Sequence, residues 1–151
     1  MRKILLVLVS LCLLAGCSSY TEIEIIGWGL VEEHNHIRRE YKLDSLIVNE
    51  RLNIAAQKHA NYMAQNDKLS HYEKNNSRPS NRIENEGYKY YMVAENIAAG
   101  YYSVKAVTKG WMESKGHRKN ITGKFTHIGT GVAKSSNGRW YWCVLFATPK
   151  K

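Results

Sequence analysis

The chain has 151 residues and a formal net charge of +9, with 44% hydrophobic and 23% charged residues. This length corresponds to about one domain, and the balance of residue types excludes an intrinsically disordered chain. The net positive charge favours anionic partners such as lipid headgroups or envelope polymers. The basic residues are scattered rather than collected in one run, so we expect no specific binding of nucleic acid.

The first 17 residues have the pattern of an export signal. Arg2 and Lys3 form a short positive segment, and residues 4–14 are nearly all apolar, a run too short to span a bilayer comfortably. The sequence Leu-Ala-Gly-Cys at residues 14–17 resembles a bacterial lipobox, in which the chain is cut before the cysteine and the thiol receives diacylglycerol. An ordinary secretory signal with a chance cysteine is the alternative. We predict a lipoprotein signal peptide over residues 1–17, with lipid on Cys17.

Such an anchor implies an extracytoplasmic protein that is held to a bacterial membrane by its lipid. Ser18 follows the lipidated cysteine and is compatible with the outer membrane if the host is Gram-negative. The other cysteines are Cys12, within the signal, and Cys143, so the mature domain has no internal disulfide. Cys143 lies in an apolar run and is predicted to be a small core residue, with a catalytic thiol as the alternative.

The mature chain is predicted to consist of a tether over residues 18–24 and one domain over residues 25–151. Apolar residues spaced by three and four indicate a helix over residues 25–41 and a second over residues 47–66. The second helix carries several alanines, so we expect it to pack closely. Residues 68–80 are polar and rich in turn-forming residues, which is typical of a loop.

Helix and strand signals follow one another in the next part of the chain. A helical turn over residues 81–86 is expected to end at Gly87, and residues 88–92 are aromatic and predicted to be extended. Ser103 is a suitable N-cap for a third helix, which Gly116 is expected to end.

The last part of the chain predicts a β-hairpin. Strand-like runs over residues 127–134 and 139–147 flank Asn137-Gly138, a dipeptide typical of tight hairpin turns. Both faces of the second run are apolar, so we expect a central strand covered on both sides. Helices followed by strands predict an α+β fold in which helical layers enclose a sheet.

Four side chains are candidates for chemistry: His71, Glu95, Glu113 and His117. Imidazole nitrogens and carboxylate oxygens are zinc ligands, and the same groups can form a general acid–base set. Glu113 and His117 are four residues apart and would share a face of a continuous helix, which Gly116 makes doubtful. From the residues alone, scattered surface polar groups remain the alternative.

Other patterns are given structural interpretations. His34 and His36 lie on different sides of the predicted helix and cannot converge on one ion. Asn35 and Arg38 are predicted to be structural, with Asn35 joining helix to loop by hydrogen bonds. The chain has no His-Glu-x-x-His motif, so it does not fit the zinc proteases that this motif defines. A phosphate loop requires a helix directly after its glycines, and no helix is expected after Gly129 and Gly131.

The order and spacing of several motifs resemble the CAP superfamily (SCP domains), and its bacterial branch most. The similarity extends over about residues 31–146. The motifs are His34-Asn35-x-x-Arg38, Leu69-Ser70-His71, Ala94-Glu95-Asn96-Ile97, Gly116-His117-Arg118 and Ile128-Gly129-x-Gly131.

This resemblance implies a three-layer α-β-α sandwich of the CAP type with a central, mainly antiparallel sheet. In many members two His and two Glu line one cleft, where some bind a divalent cation. His71, Glu95 and His117 take three of these positions, whereas several relatives have the second Glu where this chain has Ser114, one residue after Glu113. The implied metal ligands are His71 and His117, with Glu95 and Glu113 as further candidates and zinc as the first choice of ion.

Three functions are compatible with these residues. The first is an envelope-anchored binding protein whose cleft holds a divalent cation, a lipid or an envelope ligand, since eukaryotic relatives include sterol and fatty-acid binders. The second is a metal-dependent hydrolase (protease, esterase or nuclease) with Glu95 as base. The third is a non-catalytic protein that contacts anionic envelope polymer through Lys and Arg. No obvious nucleophile accompanies the His/Glu set, which favours binding over catalysis and leaves the enzyme question open.

Overall fold

A computed structural model describes residues 21–150 of the chain. In this range the helices are α1 (Glu22–Glu40), α2 (Glu50–Gln65), α3 (Pro79–Asn85), α4 (Val104–Glu113) and α5 (Lys115–Ile121). The strands are β1 (Ile47–Val48), β2 (Tyr90–Ala99), β3 (His127–Lys134) and β4 (Trp140–Pro149). The predicted signal peptide, the lipid site at Cys17 and the first residues of the tether lie outside the described part. None of the described helices combines the length and apolar character needed to cross a bilayer.

The four strands form one mixed sheet in the order β1-β3-β4-β2. Only β1 and β3 run parallel among these strands, and the β3–β4 and β2–β4 pairs are antiparallel. The mainly antiparallel sheet and the central position of β4 are confirmed. Pairing of β2 with β4 shifts by one residue between Tyr90 and Met92, a β-bulge near the start of β2.

Helices cover both faces of the sheet, and β4 supplies both cores. One face, here called the α2 face, packs against α2 and α3, and the other, the α1 face, packs against α1, α4 and α5. Side chains of β4 alternate between these faces because successive strand residues point to opposite sides. The α2 face receives Tyr141, Cys143, Leu145 and Ala147, and the α1 face receives Trp142, Val144 and Phe146. The predicted three-layer α-β-α sandwich is therefore confirmed.

Glycines in β3 let α2 lie directly on the sheet. A Cβ added at Gly129 would overlap the backbone of Leu52, and one at Gly131 would overlap the backbone of Ala56. Close helix–sheet packing is thus the role of this glycine pair.

Beyond its short pairing with β1, the outer edge of β3 is covered by side chains of α2. Asn53 Oδ1 accepts a hydrogen bond from Thr130 N at 3.0 Å. The amide of Gln57 donates to Val132 O at 2.7 Å and accepts from Val132 N at 3.1 Å. These two amides replace a neighbouring strand and prevent edge-to-edge pairing.

Three helix boundaries differ from the expected ones, and local backbone features explain each difference. Thr21 and Glu24 form a capping box, so α1 begins at Glu22, inside the predicted tether. Asn49 caps α2, and the two β-branched residues before it pair with β3, so the expected helix start at residue 47 is wrong. Ser114 is extended (φ −89°, ψ 122°), so α4 ends at Glu113, whereas Gly116, the expected terminator, lies inside α5.

Other predicted features are present. Ser103 Oγ accepts a hydrogen bond from Ala106 N at 3.1 Å and caps α4. Gly87 follows α3 with φ 73°, a left-handed conformation that glycine adopts without strain. Gly138 (φ 87°) forms the turn between β3 and β4. The strand predicted over residues 88–92 is longer and later than expected, because β2 continues to Ala99.

Two buried polar residues of α1 join this helix to distant loops, as predicted. Asn35 donates to Leu46 O at 3.1 Å and accepts from Leu46 N at 2.7 Å. The guanidinium of Arg38 donates to four backbone carbonyls, those of Asp44, Ile121, Gly123 and Phe125. These bonds fix the position of the C-terminal end of α5.

Candidate functional site

Two of the four predicted site residues are in direct contact, and a third lies on a helix that is hydrogen-bonded to the same strand. His71 is in the loop between α2 and α3, Glu95 is in β2 and His117 is in α5. His71 Nδ1 lies 2.7 Å from Glu95 Oε1. They meet at the outer edge of β2, which is the end of the sheet opposite β1.

Glu95 is the buried centre of this arrangement. It pairs with Leu145 across the sheet and so points to the α2 face, with 1% of its side chain exposed. Oε1 accepts the hydrogen bond from His71, and Oε2 forms a salt bridge with the Arg82 guanidinium of α3. Both carboxylate oxygens are therefore engaged by protein groups.

The pKa of Glu95 is lowered although burial alone would raise it. The hydrogen bond from His71 and the positive charges of Arg82 and His59 outweigh the burial effect. Glu95 is thus a carboxylate at neutral pH and can only accept hydrogen bonds. It follows that His71 Nδ1 carries a proton and, in the neutral ring, Nε2 carries the lone pair.

The outer side of His71 is open. Its side chain is 47% exposed, and Nε2 makes no hydrogen bond with any residue between 21 and 150. A carboxylate bonded to one ring nitrogen is the usual outer partner of a metal-binding histidine. Glu95 therefore prepares His71 Nε2 to bind a cation or a ligand proton.

His117 lies in α5 and is half-buried. Burial, and then the charge of His71, lower the pKa of His117. Both effects favour the neutral imidazole, which is the form that binds metal ions. We call His71 and His117 the histidine pair.

The residue after Glu95 holds the other half of the pair. Asn96 points to the α1 face, where its Nδ2 donates to His117 O at 3.2 Å. Asn120 Nδ2 donates to Asn96 Oδ1 at 2.8 Å and to Glu95 O at 3.3 Å. Successive residues of β2 thus hold the side chain of His71 through Glu95 and the backbone of α5 at His117 through Asn96.

A deeper layer, which was not predicted from the sequence, supports Glu95. His59 of α2 is fully buried, with Nδ1 2.8 Å from Glu73 Oε1 and Nε2 2.9 Å from Ser70 O. Because both partners are acceptors, only the doubly protonated ring satisfies both contacts. His59 Nε2 also lies 4.0 Å from Glu95 Oε1. A histidine within the alanine-lined stripe of α2 was the signal that could have indicated this role.

Arg82 connects the deeper layer to the loop that carries His71. Besides its salt bridge to Glu95, Arg82 Nη1 donates to His71 O at 3.1 Å and to Ser77 O at 3.2 Å. Its Nε lies 3.7 Å from Glu73 Oε1. His59 and Arg82 thus face the partly exposed carboxylate of Glu73 and the buried carboxylate of Glu95.

The structure does not bring Glu113 to the histidine pair. Its side chain is 68% exposed and pairs with Lys109 at 3.8 Å on the surface of α4. The extended backbone at Ser114 separates α4 from α5, so Glu113 and His117 do not share a helix face.

Cys143 is a core residue, as predicted. It is fully buried, and its Sγ lies 3.6 Å from Glu95 Oε2. Burial, and then the negative charge of Glu95, raise the pKa of this thiol well above its usual value. A thiol that stays protonated is not a nucleophile.

The groups left as donors for a cation are the two imidazoles, and they do not form a closed cage. Across residues 21–150, no three His, Cys, Asp or Glu side chains form a ready-made ligand group. The oxygens of Glu95 are occupied, and Glu113 lies elsewhere. Two histidines with water or a ligand at the remaining positions are compatible with zinc, which needs four donors in all.

Comparison with known proteins agrees with this architecture. The model of the CAP family, described as the cysteine-rich secretory protein family, matches residues 31–146. The chain belongs to the CAP family. Its CAP domain resembles an outer surface protein from Borrelia burgdorferi, with a TM-score of 0.76 and 22% identity over 82% of this chain and 92% of that one.

Other bacterial relatives are larger proteins. An extracellular protein of Bacillus anthracis str. Ames containing an SCP domain gives a TM-score of 0.77 and 25% identity over 83% of this chain and 41% of that one. The uncharacterized Bacillus subtilis protein YkwD is 34% identical over 109 residues, which is 72% of this chain and 42% of YkwD. The chain thus spans less than half the length of this curated relative. Both solved relatives are described as outer-surface or extracellular proteins.

Proposed function

We propose that this CAP domain is a non-catalytic, envelope-anchored binding protein whose histidine pair holds a divalent cation, with zinc as the expected ion. The observation that carries the proposal is the hydrogen bond between Glu95 and His71 Nδ1, which leaves Nε2 directed away from the core. Lipid on Cys17 would hold the domain at a bacterial membrane.

The bound ion would supply a Lewis acid for an anionic or carbonyl oxygen of an envelope ligand. His71 and His117 would bind it, and Glu95 would orient His71 without ligating the ion. Because His71 is 47% exposed, the pair is open to solvent. An open pair suits the phosphate or carboxylate of an envelope polymer better than a lipid tail, which needs an enclosed apolar pocket.

The state of Glu95 supports binding rather than hydrolysis. A general base needs a free lone pair and a pKa near the working pH. Glu95 has a lowered pKa, and His71 and Arg82 occupy its oxygens. The hydrolase alternative therefore lacks the base that it was expected to use.

Metal analysis of protein purified without chelator tests the proposal. We expect about one zinc ion per chain in the wild type and none in the double variant His71→Ala/His117→Ala. His36→Ala is the matched control, because this histidine is 58% exposed on α1 and pairs with Glu40. Equal metal content in all three proteins would contradict the cation site.

Turnover assays decide between binding and hydrolysis. Wild-type protein loaded with zinc is offered ester, peptide and nucleic-acid substrates, and no turnover is expected. Hydrolysis that disappears in Glu95→Gln while zinc stays bound would overturn the non-catalytic proposal.

A further inference from the structure

A groove of about 520 Å³ lies between α1 and α2, along the outer edge of β3. Val31, Val48 and Gly131 contribute to its lining, and the large side chains along it come from the first turns of α1 and from α2. No residue of the histidine pair or of its supporting layer lines it. The groove is therefore a second surface feature with no role in the site described above.

The groove has an exposed apolar rim. Ile23 is 41% exposed, Trp28 is 56% exposed and Ile54 is 38% exposed. Ile25, on the same end of α1, is 60% exposed. Three large apolar side chains exposed along one groove are more than isolated surface hydrophobics, and such grouping is typical of a surface that contacts a partner.

The chain enters the described structure beside this groove. Thr21 caps α1, and Ile23 and Glu24 in its first turn already line the groove. Cys17 precedes Thr21 by four residues, which span at most about 14 Å when extended. A lipid on Cys17 would thus keep the bilayer surface within about that distance of the entrance to α1.

The groove and the histidine pair lie at opposite ends of the sheet. The strand order places β4 between β3 and β2, so the outer edge of β3 and the outer edge of β2 are on opposite sides of three adjacent strands. Strands are about 4.8 Å apart, so the two sites are separated by at least about 10 Å and face different directions. A membrane against the groove leaves the histidine pair open to the aqueous side.

Charges at the groove favour an apolar contact. Glu24 and Glu50 line it together with Lys58, and Lys58 is paired with Glu86 at 2.6 Å. This surface therefore has no excess positive charge with which to attract anionic lipid or polymer. Contact through it would depend on apolar burial and would resist added salt.

We propose that this groove and its rim are the surface through which the anchored domain rests on the lipid bilayer. Tryptophan favours the boundary between headgroups and acyl chains, so Trp28 would lie there, with Ile23 and Ile54 beside it. The domain then has a fixed orientation, with the histidine pair pointing away from the membrane. This inference rests on the proposed lipid anchor at Cys17.

Fluorescence quenching in vesicles tests the contact. The full chain is reconstituted in vesicles of phosphatidylcholine with bromine on the acyl chains near the headgroup, and tryptophan emission is compared with that in unbrominated vesicles. We expect quenching in the wild type and in Trp140→Phe, and loss of most of the quenching in Trp28→Phe. The buried residues Trp111 and Trp142 contribute little, because they are no more than 2% exposed.

Rim variants test whether the groove itself holds Trp28 at the bilayer. In Ile23→Ser/Ile54→Ser we expect quenching to fall at least twofold, with the melting temperature nearly unchanged. Tyr91→Ser is the matched control, because this side chain is 77% exposed on β2, and its quenching should equal that of the wild type. Quenching should also persist at high salt.

The mass of the N-terminal peptide shows whether the chain is acylated. This measurement distinguishes failure of the groove contact from failure of the lipid anchor. An acylated, vesicle-bound chain with unquenched Trp28 overturns the groove contact and leaves the anchor standing. A chain without lipid that also leaves Trp28 unquenched overturns both. Rim variants that change the oligomeric state but not the quenching would assign the groove to a second copy of the chain.

Discussion

The two outer edges of the sheet are covered by similar groups but with different consequences. On β3, the amides of Asn53 and Gln57 bond the backbone of Thr130 and Val132. On β2, Asn120 bonds Glu95 O. The first contact only completes the sheet, whereas the second also fixes the helix that carries His117. An edge of the sheet can thus become a site when the element that covers it carries a reactive side chain.

Replacement of Arg82, the buried cation at the β2 edge, should cause the largest loss of stability. Arg82→Met leaves Glu95 buried without its main charge partner, and we expect a loss of about 3–5 kcal/mol in the free energy of unfolding. Urea denaturation measures it. Lys58→Met is the control, because the exposed Lys58–Glu86 pair should contribute less than about 1 kcal/mol. Equal losses in the two variants would show that the β2 edge does not depend on its buried charges.

Low pH should destabilise the core on the α1 face through a residue that lies at neither edge of the sheet. His34 is fully buried against Trp111 and Phe146, and burial lowers its pKa to about 4. The unfolded chain binds this proton first, so stability is lost as pH falls from about 6.5 to about 4. The expected loss is about 3 kcal/mol.

Urea unfolding at pH 7 and pH 4.5 measures this loss for wild type and for His34→Phe. The variant should lose clearly less stability over that interval, because it has no imidazole to protonate. An unchanged pH dependence would place the acid sensitivity elsewhere.

The amides that cover the two edges can be deleted one at a time. Gln57→Ala and Asn120→Ala each remove side-chain hydrogen bonds, so each should cost about 1–3 kcal/mol in urea unfolding. Only Asn120→Ala should also weaken zinc binding, whereas Gln57→Ala should increase self-association through the exposed edge of β3. Equal zinc affinities in both variants would remove the functional distinction between the edges.

The smallest expected effect is on zinc affinity in Glu95→Gln. Loss of the carboxylate partner of His71 should weaken zinc binding about 10- to 100-fold, measured by competition with a chromophoric chelator. His71→Ala should weaken it further, because a ligand is removed rather than its outer partner. A gain of affinity in Glu95→Gln would contradict the outer role of this residue.

The elements with a strong local signal were predictable from the sequence. Asn137-Gly138 and the flanking runs located β3 and β4, and the apolar residues on both sides of β4 indicated its central position. The cap at Ser103 was also correct, since it depends on neighbouring residues alone.

The extent of β2 and the break before α5 were not predictable in this way. Residues 94–97 lack the alternation that marks a half-buried strand, because both faces of β2 are covered there. Ser114 is an ordinary helix residue by propensity, whereas in the structure it is the extended N-cap of α5.

Motif order indicated His71, Glu95 and His117 as candidate residues, but the supporting layer could be found only from the fold. His59 and Glu73 are 14 residues apart, and their contact depends on how the loop after α2 returns to it. Glu113 shows the opposite error, since a spacing of four residues suggested a shared face that the backbone does not provide.

The bulge near the start of β2 has a consequence for how this protein can change over evolutionary time. The irregular pairing lies between Tyr90 and Met92, ahead of Glu95 and Asn96. Residues gained or lost in the connection before it can be absorbed at that irregularity. A single residue inserted after it would exchange the carboxylate and the amide between the two faces and dismantle both halves of the site at once. Sequence length should therefore vary freely upstream of the bulge and hardly at all between it and Asn96.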